Sequence, residues 1–265
     1  MLLLSVMLTN PTKALHRLFL AIARLFPSSH YALLSLLFIV GLELIFVFQR
    51  WYFLVSALVV SLITFGVILV SYEEEKRFMP TQVILPILAT LGISGFAFLL
   101  PTTWILHVYI ATAGLILFFL LKHGARQSYP IWNWALSMGI YLLNIAFIFG
   151  LRFHLDWQIL FVLASVFIIT ALMSLQALRR IVPTISDVVL PVLALSFALT
   201  EVSWALQFLP SHYLAQAGLL AVLYYVIFNL ISLSYTARLT LREMVEYIGV
   251  GTIASIIIIS ASRWT

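Results

Sequence analysis

The sequence predicts an all-α fold, a polytopic transmembrane helical bundle of about nine spans. First, 64% of the residues are hydrophobic and only 9% are charged, with a mean hydropathy of +1.15. A soluble domain carries about 25% charged residues, so the bilayer must be the solvent for most of this chain. Second, long apolar runs alternate with short polar or proline-containing breaks. Third, the second half of the chain repeats features of the first half in the same order.

The first element that we expect is an interfacial amphipathic helix in residues 13–26, ahead of the first span. Its apolar residues recur at helical spacing, while Lys13, Arg17 and Arg24 lie largely on the opposite side. A basic amphipathic helix of this kind lies in the membrane interface. We therefore assign residues 1–29 to a cytoplasmic amphipathic basic arm.

Apolar segments of about the length needed to cross a bilayer follow this arm. Pro101 and Pro210 mark two tight turns between them, and charged clusters separate several others. The ninth segment is short and rich in glycine and serine, so a count of eight spans stays open. The predicted spans are 31–49, 51–72, 81–100, 103–122, 130–151, 156–178, 184–209, 212–235 and 246–262.

The Lys and Arg residues are distributed unequally between the two ends of these spans. Cytoplasmic loops of membrane proteins carry an excess of Lys and Arg. We therefore expect a protein of the cytoplasmic (plasma) membrane, with its N-terminus inside and its C-terminus outside. Eleven of the 14 basic residues lie on the side of the N-terminus: Lys13, Arg17, Arg24, Lys76, Arg77, Lys122, Arg126, Arg179, Arg180, Arg238 and Arg242.

Internal duplication is indicated by a proline-containing pattern that occurs twice. Residues 77–89 (RFMPTQVILPILA) are echoed by residues 180–194 (RIVPTISDVVLPVLA), and both copies then reach a Leu-Pro turn. Matched segments are separated by 101 to 109 residues throughout. The sequence thus predicts two parallel four-helix membrane repeats at residues 30–128 and 129–237, followed by a ninth span and tail at residues 238–265.

Five polar residues within the spans or near their outer ends are candidates for an intramembrane site: Glu43, Asn144, Glu201, Gln207 and His107. A carboxylate in hydrocarbon is costly and normally faces a bundle interior or a water-filled cavity. One interpretation is an outward-facing polar cavity at the repeat interface that binds a cation or a polar headgroup, or relays protons. The other interpretation, which we favour, is that these groups form interhelical hydrogen bonds, or reach the outer water, and only specify packing.

Two prolines are expected to kink their helices. Pro86 and Pro191 lie a short way into the third and seventh spans, where each removes a backbone hydrogen bond. Paired broken helices frame the binding sites of some transporters. A plain structural kink is the simpler interpretation of both prolines.

Signatures of catalysis are nearly absent from the sequence. It contains no cysteine, no Walker, HExxH or dinucleotide motif, and no His and Asp cluster with metal-ligand spacing. Residues 92–95 (GISG) formally match the GxSG of rhomboid-type intramembrane serine proteases, for which His107 would be the conceivable proton acceptor. Small residues at a helix contact explain this segment better. We therefore expect no enzymatic activity, no metal site and no cofactor.

The sequence leaves three functional classes open. The least favoured is a lipid-modifying enzyme, because no constellation of basic and acidic residues faces one side of the bilayer. The scarcity of polar residues in the helices and the basic arm favour a non-catalytic membrane scaffold or complex subunit. Its expected partners are the lipid bilayer and a membrane protein or a second copy in an oligomer. The duplication and the outer polar layer favour the alternative, a transporter or permease-like protein that moves a small or amphiphilic solute through the repeat interface. The basic residues lie at span ends rather than in a long run, so nucleic acid is not an expected partner.

Overall fold

The structure is a computed structural model that describes residues 30–47, 52–75, 80–101, 104–124, 130–182, 184–236 and 239–262. The predicted basic arm, with Lys13, Arg17 and Arg24, lies outside the described residues. The all-α prediction is confirmed. Within the described ranges the chain forms nine helices: α1 (His30–Val47), α2 (Tyr52–Glu75), α3 (Pro80–Leu99), α4 (Trp104–Gly124), α5 (Pro130–Leu155), α6 (Ile159–Leu178), α7 (Ile185–Leu206), α8 (Tyr213–Tyr235) and α9 (Leu241–Ala261).

Each predicted apolar segment corresponds to one of these helices, and proline explains several of their ends. Pro80 and Pro130 are the first residues of α3 and α5, where the missing N–H has no helical partner to lose. Pro101 and Pro210 follow the ends of α3 and α7, because proline cannot continue a helix. Helix ends of this kind are therefore predictable from local chemistry.

The last helix, α9, begins ahead of the predicted apolar segment because a capping box starts it at Thr240. The backbone N–H of Glu243 donates to the Thr240 hydroxyl at 3.3 Å, and the backbone N–H of Thr240 donates to the Glu243 carboxylate at 3.1 Å. α9 packs mainly against α8. Its buried residue is Gly251, where an added Cβ would overlap a methyl group of Val226.

The length and composition of the helices are those of a helical membrane protein. Large apolar side chains are exposed on the outer faces of the helices, such as Leu160 at 73% and Leu190 at 76%. Lipid is the solvent that such a surface fits. Counted over the residues whose side chains the structure describes, the apolar stretches of α1, α2 and α3 are shorter than those of the other six helices. Six helical segments of the described chain are long and apolar enough to cross a membrane: Trp104–Lys122, Trp134–Leu155, Ile159–Leu178, Ile185–Leu206, Tyr213–Tyr235 and Leu241–Ala261.

The first eight helices pack in two groups of four with the same pattern of neighbours. In the first group, α1 and α3 each contact both α2 and α4. In the second group, α5 and α7 each contact both α6 and α8. The groups are joined by α3, which packs against α5 and α6, and by a smaller contact between α4 and α5.

Two stacked tyrosines form the core of the second group. The rings of Tyr141 on α5 and Tyr224 on α8 are buried, with centroids 4.2 Å apart and planes inclined by 16°. The Tyr141 hydroxyl lies 3.0 Å from Oγ1 of Thr170 on α6. Because a hydroxyl inside a dry bundle needs a partner, this contact fixes three helices relative to one another.

Candidate functional site

Two of the five predicted polar residues meet on the surface of the bundle. His107 of α4 faces Glu43 of α1, with 3.0 Å between His107 Nδ1 and Glu43 Oε1. The side chains are 64% and 41% exposed, respectively. The pair can form a charge-assisted hydrogen bond when the imidazole is protonated. In the described part of the chain, no third His, Asp or Glu joins them to complete a metal-ligand set.

We expect this pair to contribute little to stability. Glu43→Gln and His107→Gln should each lower the free energy of unfolding by less than about 1 kcal/mol, because glutamine at either position can still hydrogen-bond the remaining partner and an exposed ion pair adds little to that bond. Reversible unfolding in mixed micelles, followed by tryptophan fluorescence, measures this change. A loss of several kcal/mol would contradict a solvated pair and would place it in a low-dielectric environment instead.

Asn144 lies at the joint between α3 and α5 and is buried there. Its side-chain nitrogen Nδ2 donates to the carbonyl oxygens of Leu88 on α3 and Ile140 on its own helix, both at 2.8 Å. The two helices approach closely because Gly92 lacks a side chain, and an added Cβ would lie 2.5 Å from Nδ2 of Asn144. These contacts favour the packing interpretation for Asn144.

The remaining two polar residues lie on or just after α7. Glu201 is exposed on α7. Gln207 caps the C-terminus of the helix and is half-buried, and its Nε2 has no hydrogen-bond partner within the described residues. α7 packs against α6 and α8, whereas Glu43 lies on α1 and Asn144 on α5. The structure therefore brings together Glu43 and His107 but distributes the other three residues over separate places.

Both prolines lie inside their helices, Pro86 in α3 and Pro191 in α7. A proline at position 191 leaves the carbonyl of Asp187 without its helical N–H partner. That carbonyl accepts a hydrogen bond of 2.7 Å from the hydroxyl of Tyr235, at the end of α8. The freed backbone group is thus used to attach α7 to α8, which favours a structural role for Pro191.

The GISG segment at residues 92–95 also serves packing in this structure. The Ser94 hydroxyl donates to the carbonyl of Thr90 within α3 at 2.7 Å. His107, the conceivable proton acceptor, bonds Glu43 instead. A serine nucleophile needs a base within hydrogen-bond reach, and the imidazole is engaged elsewhere.

A cleft that the sequence reasoning missed lies between the two four-helix groups. This interface cleft has a volume of about 450 Å³ and is bounded by α2, α3, α5 and α6. Most of its wall is apolar, and its polar groups include the hydroxyls of Ser56, Ser61, Ser94 and Ser165. Oγ of Ser56 is buried without a hydrogen-bond partner in the described chain. Single serines occur throughout these spans, so no pattern in the sequence marked this set.

Comparison with known proteins shows one family relationship. Residues 36–261 match the family described as Protein of unknown function (DUF5656). The chain belongs to the DUF5656 family. The match begins within α1 and ends with α9, so the features shared by DUF5656 members extend across the bundle and include the last helix. No curated protein and no solved structure matches the chain.

Proposed function

We propose that this DUF5656 protein is a non-catalytic multi-pass membrane protein that serves as a scaffold or as a subunit of a membrane complex. The observation that carries the proposal is Glu201, a carboxylate exposed on α7. Within the described residues it has neither a hydrogen-bond nor an ion-pair partner. A carboxylate in a membrane-spanning helix is costly unless it is paired, and a donor on a neighbouring protein would pair it.

The residues around Glu201 support a helix contact. Ala194, Ala198 and Ala205 are exposed, and their spacing places them in one stripe with Glu201 along α7. Small residues let two helix backbones approach closely, and a polar side chain among them forms interhelical hydrogen bonds. At 1.5 Å per residue, Glu201 lies about 8 Å from the end of α7. This α7 stripe (Ala194, Ala198, Glu201 and Ala205) is the surface that we assign to a helix of a partner membrane protein.

In the proposed arrangement all nine helices cross the plasma membrane, with the N-terminus inside and the C-terminus outside. The excess of Lys and Arg on the N-terminal side supports this orientation. The two four-helix groups are proposed to be parallel repeats. Their common pattern of neighbours supports this, as do Pro86 and Pro191, which lie at matching places in α3 and α7.

Site-specific photo-crosslinking tests the proposed contact. A benzophenone amino acid at position 198 should give one discrete adduct in intact cells. The matched control is position 164, an exposed alanine on α6, which should give none. Glu201→Leu should abolish the adduct, because leucine cannot accept a hydrogen bond, whereas Glu201→Gln should keep it.

The mass of the adduct identifies the partner. A mass of twice the 29.9 kDa chain means a second copy, and any other defined mass means a different membrane protein. An adduct that is equally strong at position 164, or unchanged by Glu201→Leu, would overturn the proposal. Either result would mean that crosslinking reports only crowding in the membrane.

The interface cleft favours one alternative, a transporter or permease-like protein for a small or amphiphilic solute. Its position between the two groups and its volume of about 450 Å³ are those of a ligand site. The alternative expects the cleft to contain water. A single cysteine at position 165 should then react with a membrane-impermeant thiol reagent in intact cells.

A further inference from the structure

A second cavity lies at the opposite end of the bundle from the Leu-Pro turns, inside the second group of helices. This inner pocket has a volume of about 190 Å³ and lies among the N-terminal part of α5, the end of α6 and the C-terminal half of α8. Its walls include the aromatic rings of Trp134, Tyr224 and Phe228. All three helix ends lie on the side that the basic residues predict to be cytoplasmic.

One buried hydrogen-bond donor in the pocket has no partner among the described residues. It is Nε1 of Trp134. Gln176, only 4% exposed, lines the same pocket with its amide side chain. Buried polar groups are almost always satisfied, and leaving one unsatisfied in a cavity is costly. This pattern points to an occupant that accepts hydrogen bonds.

The charge of the pocket selects the kind of acceptor. Arg180 lines it, just after the end of α6. The described lining residues contain no Asp or Glu, so no carboxylate within the pocket neutralises the guanidinium. Partial burial lowers the pKa of Arg180 from its ordinary value, but an arginine in a protein keeps its proton. A planar guanidinium beside N–H donors is the arrangement that binds phosphate oxygens.

We propose that the inner pocket binds a phosphate-bearing anion, with Arg180 pairing with its charge and Gln176 and Trp134 donating hydrogen bonds to its oxygens. The place of the pocket favours the headgroup of an anionic phospholipid of the inner leaflet as the source. Basic pockets between transmembrane helices on the cytoplasmic side bind such headgroups. This site is independent of the α7 stripe and would exist with or without a protein partner.

Native mass spectrometry of the purified full chain in detergent tests the proposal with phosphatidylglycerol as the probe. Wild-type protein should bind one phosphatidylglycerol in preference to phosphatidylcholine. Arg180→Gln should weaken this binding about tenfold, because it removes a charge-assisted contact. Gln176→Leu should weaken it several-fold. The matched control is Arg242→Gln, an exposed arginine on the same predicted side but outside the pocket, which should leave the binding unchanged.

Competition distinguishes the two sources of phosphate. If inorganic phosphate displaces the lipid at comparable concentrations, and Arg180→Gln weakens it equally, the site is assigned to a free phosphate-bearing anion. If phosphate does not compete, the lipid headgroup is the occupant. Equal binding of phosphatidylglycerol and phosphatidylcholine to wild-type protein would overturn the proposal. This comparison uses wild-type protein alone, so it does not depend on whether any variant folds. Equal weakening by Arg180→Gln and Arg242→Gln would also overturn it, because only the general surface charge would then matter.

Discussion

Replacing Gly95 with leucine should separate α3 from α5 and destabilise the protein by about 3 kcal/mol. A Cβ at Gly95 would overlap the ring of Phe147 on α5, so the larger side chain cannot be accommodated without moving a helix. The same movement would break the hydrogen bond from Asn144 to the Leu88 carbonyl, which is 2.8 Å long. Such an interhelical bond contributes about 0.6 kcal/mol on average. Reversible unfolding in mixed micelles measures the total loss of stability from the steric overlap and the broken hydrogen bond.

Gly139→Leu is the matched control for this substitution. Gly139 also lies within a helix, α5, but an added Cβ there meets no described heavy atom within 4 Å. Its replacement should change the free energy of unfolding by about 0.5 kcal/mol or less, as surface substitutions usually do. If Gly95→Leu is as mild as Gly139→Leu, the close contact between α3 and α5 does not exist.

Tyr141→Ala should cost about 2–3 kcal/mol, a smaller loss than the same change in a soluble protein. In water-soluble cores the cost combines transfer of the side chain and the cavity that is left behind. In a bilayer the transfer contribution shrinks, since lipid is as apolar as the core, and the cavity contribution remains. The cavity would lie beside Tyr224, whose ring stacks on Tyr141 at 4.2 Å, so the walls of the inner pocket should loosen as well.

Tyr141→Phe separates the ring from its hydroxyl. It keeps the stacked ring and removes only the contact with Thr170, which is 3.0 Å long. We expect a loss of about 1 kcal/mol, plus a weaker anchoring of α6. Differential scanning fluorimetry on the intrinsic tryptophans compares the variants. Equal effects of Tyr141→Ala and Tyr141→Phe would mean that the hydroxyl, and not the packed ring, holds this core together.

The helices were predictable because their signals are local. These signals depend only on neighbours along the chain. They are the long apolar runs, Pro80 and Pro130 at helix starts, and Pro101 after a helix end. α9 extended further than its apolar run because the Thr240 and Glu243 capping box lies among charged residues that hydropathy discounts. Capping chemistry, not hydropathy, sets the start of that helix.

The candidate site was only partly predictable because its contacts are long-range. Glu43 and His107 are 64 positions apart, and their hydrogen bond depends on how α1 packs against α4. The sequence shows that Asn144 is a polar residue in a span. It does not show that the carbonyl of Leu88 on α3 accepts its hydrogen bond. Trp134 and Gln176 were missed because a tryptophan and a glutamine near span ends are ordinary. What sets them apart is the burial of Gln176 and the buried, unpartnered Nε1 of Trp134.

Cysteine labelling distinguishes a protein that supports a membrane complex from one that forms an outward-facing pathway for a solute. The natural chain contains no cysteine, so single cysteines at positions 144 and 201 can be treated in intact cells with a membrane-impermeant thiol reagent. A cysteine replacing Arg152, which lies at the predicted outer end of α5, is the positive control. We expect labelling at position 152 and none at 144 or 201, because Asn144 is packed between helices and Glu201 is proposed to face a partner helix. Labelling at both 144 and 201 would contradict this expectation, since both positions would then line a water-filled outward cavity, as a transporter requires.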